Sequence, residues 1–185
     1  MRSRTLVLTA VLALTSSGCG EPEAPSTVRD PAETRRALAG APPPLAGLHA
    51  QAGQLLEGGP DAFRRRLRVL RGHAVVVNKW ASWCPPCRAE FPFFESQALK
   101  HGRKVAFIGV DSNDSAADAK RFLERFPVSY PSFSDPNSHI AAVFRGVLAF
   151  PTTAYYDSQG RLAYVKQGGY VKESDLAADI ARHAR

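Results

Sequence analysis

The sequence predicts an α/β domain with a mixed central sheet and helices on both faces. Three observations carry that expectation. Two short apolar, β-branched runs, Ala74–Trp80 and Lys104–Val110, are each followed by a stretch with helical spacing. Near the end, two further strand patterns are separated only by Asp157-Ser158-Gln159-Gly160, which makes a hairpin. The resulting order, β-α-β-α-α-β-β-α, combines crossover and hairpin connections in one sheet.

Each element has its own reason. Phe63, Leu67 and Leu70 fall at i, i+4 and i+7, giving an amphipathic helix whose other face carries Arg64, Arg65, Arg66, Arg68 and Arg71. That basic face has two readings: a solvated surface, or attraction to anionic lipid within roughly a Debye length, about 8 Å. Ala74–Trp80, bounded by Gly72, reads as a central strand. Pro85–His101 reads as a helix with Phe91, Phe94 and Ala98 on one side. After the strand Lys104–Val110, Asp111, Ser112 and Asn113 are N-cap candidates for a helix bearing Ala119, Phe122, Leu123 and Phe126. The turn Asp135-Pro136-Asn137 leads into a shorter helix over Ser138–Arg145. Strands Thr152–Tyr156 and Arg161–Lys166 form the hairpin, and a last helix begins near Glu173 with Leu176 and Ile180 inward.

The N-terminal quarter has a different character. Residues 1–18 combine Arg2 and Arg4, an apolar stretch from Thr5 to Leu14 and small residues, the layout of a secretory signal. Cys19 follows directly, and the junction resembles a bacterial lipobox, in which that thiol is lipidated. It departs from the usual pattern in having Ser16 three residues before the cysteine, with Leu14 further back. An ordinary cleaved signal carrying Cys19 as a passenger is the alternative. Six of the chain's 14 prolines lie between residues 20 and 45, so residues 19–45 are expected to be a semi-extended tether, with room for one helical turn at Thr34–Ala39. The folded domain is then 46–185.

Composition excludes several classes of function. With 44% hydrophobic and 22% charged residues, the 185-residue chain is globular and not disordered. No apolar run reaches the roughly 18 residues a membrane span requires. The net charge of +7 falls to 22 basic against 17 acidic residues once the signal is removed, and no basic-aromatic motif accompanies it, so nucleic acid is not an expected partner. Three cysteines are too few for a disulfide-stapled scaffold or a four-thiolate zinc site.

The chemistry concentrates at Trp83-Cys84-Pro85-Pro86-Cys87, a C-x-x-C after a strand and at a helix start. A thiol at the N-cap position lies among unpaired amides and at the positive helix end, which favours thiolate. Pro85 and Pro86 lack N–H groups, leaving the Cys87 amide as the expected donor to the Cys84 sulfur. That lowers the Cys84 pKa less than a donor-rich turn would. Cys87 lies on the same side of the helix, one turn deeper.

The stretch from Val75 through Cys84 and Cys87 to Pro92, with Asn78, Lys79, Trp80 and Glu90 within it, resembles the active-site region of thioredoxin-fold proteins. It is most similar to the TlpA/ResA-like extracytoplasmic thiol–disulfide oxidoreductases, over roughly residues 46–185. The resemblance implies a thioredoxin-like fold, a redox disulfide Cys84–Cys87, Cys84 as nucleophile and Cys87 as resolving thiol. It implies that Pro92 bends the active-site helix and that Phe150-Pro151-Thr152 is the cis-proline loop facing the dithiol. Trp83, Pro85, Pro86, Phe150, Pro151 and Thr152 would dock the substrate. Asn78 stands where thioredoxin has a buried proton-accepting Asp. Glu90 matches the suggested substitute acceptor of this branch, the alternative being a first-turn carboxylate favoured by the helix dipole. Lys79 replaces a usually apolar residue, and either pairing with an acid or snorkelling outward fits the sequence.

The function implied is reduction of disulfides in exported proteins, apocytochrome c for example, with no organic cofactor or metal. Electrons would come from a membrane or exported thiol protein, and a lipid anchor at Cys19 would hold the protein to the cell membrane. A thiol oxidase on the same fold, and a non-catalytic binding module, are the competing readings.

Overall fold

The computed structural model describes residues 30–185, so the signal sequence and Cys19 lie outside the described residues. Six strands, β1 (Leu55–Leu56), β2 (Ala74–Trp80), β3 (Val105–Ser112), β4 (Ser132–Asp135), β5 (Thr152–Tyr156) and β6 (Leu162–Gln167), form one sheet in the order β1-β4-β3-β2-β5-β6. The first four run parallel, and β5 and β6 are antiparallel to their neighbours. The helices are α1 (Pro31–Leu38), α2 (Pro43–His49), α3 (Gly59–Val69), α4 (Pro85–His101), α5 (Ala116–Arg125), α6 (His139–Val143) and α7 (Glu173–His183). The predicted mixed sheet, covered on both faces, is the observed architecture. Among the described residues, no helix is long and apolar enough to cross a membrane.

Strand alternation on β2 divides the core. Val76 and Trp80 point to one face, where they meet Phe91 and Phe94 of α4, Phe122 of α5 and Leu176 of α7. Val75 and Val77 point to the other, where they meet Leu45 and Leu48 of α2, Phe63 of α3 and Ile140 of α6. Asn78 and Lys79, next to each other in sequence, therefore face opposite layers at the end of the strand that leads to the cysteines. The parallel ladder there is tight at Gly109: a Cβ on it would collide with Ser132, whose hydroxyl accepts the Trp80 indole N–H at 3.2 Å.

Three sequence expectations change. Residues 30–45 are not all tether. Asp30 accepts the Ala32 amide at 2.8 Å and caps α1, while Pro31, Pro43 and Pro44 occupy first-turn positions, where a missing N–H costs nothing. Leu38 and Leu45 are buried on the domain, so helices that pack on it already lie ahead of the expected boundary at 46. The N-cap of α5 is Ser115, whose hydroxyl accepts the Asp118 amide at 3.1 Å, because β3 continues through Ser112 to pair with Asp135. Finally, β1 and β4 were not expected. One is two residues long, and the other, Ser-Phe-Ser-Asp, is a strand through its pairing with β3 and not through its composition.

Candidate active site

Helix α4 begins where β2 has left the sheet, and Cys84 is its N-cap, with the extended backbone (φ −92°, ψ 105°) usual for that position. Cys84 and Cys87 form a disulfide with their Cα atoms 5.3 Å apart. The Cys87 amide donates to the Cys84 sulfur at 3.2 Å. Pro85 and Pro86, the intervening first-turn residues, are exposed and offer no amide. Both cysteines are buried, Cys84 keeping 2% exposure and Cys87 none. Pro92 lies within α4 on its solvent side.

Glu90, one turn beyond Cys87, is fully buried and so is not a solvated helix-face charge. Its carboxylate accepts the Asn78 side-chain amide at 3.1 Å and the Tyr170 backbone amide at 2.9 Å. Burial raises its pKa to about 7, opposed by those two hydrogen bonds and by the Lys166 charge. Asn78, which cannot take a proton, thus orients the residue that can. Gly169 lies where Pro151, the Glu90 carboxylate and Pro86 converge: a Cβ there would lie 3.5–3.6 Å from each, an ordinary contact distance. Neither Gly169 nor Tyr170 stood out in the sequence, where the only signal was the Gly168-Gly169 pair after the last strand.

The docking residues divide into two groups. Trp83 is 52% exposed, its indole N–H donates to the Asn113 carbonyl at 2.9 Å, and its ring lies 4.9 Å from that of Phe150. The Phe150–Pro151 peptide bond is cis. Thr152, by contrast, is fully buried in β5 and its hydroxyl donates to the Ala149 carbonyl at 2.9 Å. It braces the loop from beneath and does not face a partner, because strand alternation turns its side chain inward.

Lys79 follows neither sequence expectation. It is fully buried, and its ammonium donates to the carbonyls of Gly146 (2.7 Å), Val147 (3.2 Å) and Ala149 (3.1 Å). Burial lowers its pKa to about 8, against the opposing charge of Asp135. A second buried acid, Asp111, pairs with Trp80 across the β2–β3 ladder; burial, then Asp114, raises its pKa to about 8. Among the described residues, no three His, Cys, Asp or Glu side chains gather in a metal-holding arrangement.

Comparison with known proteins bears on the family and the fold. Thiol-disulfide oxidoreductase ResA of Halalkalibacterium halodurans is 30% identical over 108 residues, 58% of this chain and 61% of the relative. ResA of Geobacillus thermodenitrificans is 29% identical over 124 residues, 66% and 68% of the two chains. This chain therefore spans about two thirds or less of the length of these curated relatives. Among solved structures, MTB dsbF in its mixed oxidized and reduced forms matches with TM-score 0.56 and 29% identity, covering 61% of this chain and 82% of that one. A thioredoxin-family thiol:disulfide interchange protein from Chlorobium tepidum matches in fold, with TM-score 0.57 and 24% identity, over 63% and 83%. The fold is thus thioredoxin-like, and since the Redoxin family model matches residues 46–180, well over half of the sequence, the chain belongs to the Redoxin family.

Proposed function

We propose that this protein is a membrane-tethered, extracytoplasmic thiol–disulfide oxidoreductase that mainly reduces disulfides of exported proteins, apocytochrome c among the candidate partners. The observation that carries this reading is the Cys84–Cys87 disulfide at the start of α4, with the Cys87 amide directed at the Cys84 sulfur. The relatives named as thiol-disulfide oxidoreductases support it.

In the reduced protein, the Cys84 thiolate attacks one sulfur of a partner disulfide. A mixed disulfide forms, and the partner's other sulfur leaves as a thiolate that takes up a proton from solvent. Cys87 passes its proton to the Glu90 carboxylate and attacks the Cys84 sulfur. The second partner sulfur leaves, so the partner gains two electrons and the protein returns to the disulfide. A membrane or exported dithiol protein then restores the reduced form. Trp83 and Phe150 form the surface on which the partner chain rests, with the buried cis-Pro151 next to Phe150 in the same loop.

The place of Cys84 at the N-cap of α4, ahead of Cys87 within the helix, supports its role as the attacking sulfur. Cys87→Ser is expected to accumulate mixed disulfides through Cys84, and Cys84→Ser to trap none, read by non-reducing gels and mass spectrometry. The reverse pattern overturns the assignment. The tether rests on the Arg-flanked apolar signal ending at Cys19. Cys19→Ala should move the protein from the membrane to the soluble extracytoplasmic fraction, and unchanged fractionation removes the anchor from the proposal.

A further inference from the structure

Lys79 takes no part in the thiol chemistry, yet it is a fully buried cation. A buried ammonium is costly unless its three N–H donors are met, and here three carbonyls meet it. All three come from one loop, residues 146–150, between α6 and β5. The fourth contact is from the same loop: the ammonium lies 3.6 Å from the Phe150 ring centroid. Across the β2–β5 ladder Lys79 pairs with Thr152, whose hydroxyl also holds the Ala149 carbonyl.

The loop gripped in this way turns apolar side chains outward. Leu148 is 89% and Val147 45% exposed, and Phe150 reaches the ring of Trp83, the residue before Cys84. A segment whose side chains face solvent has little packing of its own to fix its shape. The ammonium supplies what packing does not, and an apolar residue at position 79 would leave the same carbonyls without that donor.

We propose that Lys79 is a positioning residue for substrate recognition: its ammonium folds residues 146–150 onto the sheet, so that Val147, Leu148 and Phe150 form a preordered apolar rim beside the dithiol for an unfolded or extended polypeptide. This rests on the oxidoreductase reading and deepens it by giving the substrate class, a disulfide within an apolar stretch of flexible chain. A small-molecule disulfide has no chain to lay along the rim and so does not depend on it.

The test compares two disulfides, insulin and cystamine, reduced by the purified full chain. Lys79→Met keeps the stem and removes the donors. It is expected to raise KM for insulin about tenfold with kcat changed little, since ordering of two or three loop side chains moves into the binding step. Reduction of cystamine should stay within about twofold. A general loosening of the fold would instead slow both substrates together, and that result overturns the inference, as does an unchanged insulin KM. If Lys79→Met does not fold, Leu148→Ser, at a solvent-facing position, decides it: a lower insulin-to-cystamine ratio supports the rim, and an unchanged ratio overturns it. Failure of the wild-type protein on both disulfides overturns the proposed function and this inference with it. An active wild type with unchanged variant ratios overturns this inference alone.

Discussion

Glu90→Gln is expected to slow release of the partner from the mixed disulfide by about a hundredfold near pH 7, the lower end of what a positioned general base contributes. The wild-type release rate should rise as pH increases through about 7, because only the ionised carboxylate can accept the Cys87 proton and burial holds its pKa there. Glutamine keeps the shape but accepts no proton, so the variant should lose that rise, as measured by stopped-flow release from a preformed mixed disulfide between pH 5 and 9. A wild-type profile in the variant would remove Glu90 from the chemistry.

The same shift has a signature in stability that does not depend on any partner. The folded pKa, about 7, lies above the ordinary 4.5, so the folded state holds the proton more tightly than the unfolded chain. Glu90 therefore stabilises the fold fully below about pH 4.5, and that contribution is lost by about pH 7, a difference of about 3 kcal/mol. Asp111 acts in the same sense up to about pH 8, and Lys79, lowered to about 8, changes the balance only above that. The contrast between wild type and Glu90→Gln in urea unfolding of the oxidised protein isolates the Glu90 part.

How much of this was legible in the sequence follows from what each residue depends on. The strand β2, the helix α4 and the hairpin β5–β6 show as local patterns: an apolar run, a C-x-x-C between strand and helix, and a turn between two strand stretches. The position of Cys84 at the N-cap and the Cys87 amide on its sulfur followed from spacing and two prolines alone. Where long-range pairing decides, the sequence was silent. Ser132–Asp135 is a strand only because β3 lies beside it, and Leu38 and Leu45 read as part of a proline-rich tether until the surface they cover is known. Pro31 and Pro43 read as helix breakers in a one-dimensional scan, yet each starts a helix. Lys79 was the hardest case. Its partners are backbone carbonyls some 70 positions away, and carbonyls have no sequence signature.

The largest expected effect concerns direction. The reduction potential of the Cys84–Cys87 pair should lie nearer thioredoxin's, roughly −270 mV, than a strong oxidase's, roughly −120 mV. At about 30 mV per decade for two electrons, that difference is about five orders of magnitude in the exchange equilibrium. A dithiol is strongly oxidising when its reduced form is stabilised, chiefly through the thiolate of the first cysteine. Here the Cys84 sulfur has the Cys87 amide as a donor, and Pro85 and Pro86 withhold two others. At 2% exposure and within an apolar cluster, it also gains little from water, which disfavours the charged form. Above pH 7 the buried Glu90 carboxylate, one turn past Cys87, adds a negative charge that further opposes a thiolate. The two prolines limit the freedom of the reduced turn, which lowers the entropic cost of closing the disulfide. The helix dipole acts the other way but is common to thioredoxin-fold dithiols of either direction. Equilibration with glutathione buffers measures the outcome, and a value above about −170 mV would assign the protein to disulfide installation in place of disulfide removal. Replacing Pro85 and Pro86 with residues that carry an N–H should raise the potential, and a fall would show that the withheld amides are not what sets it.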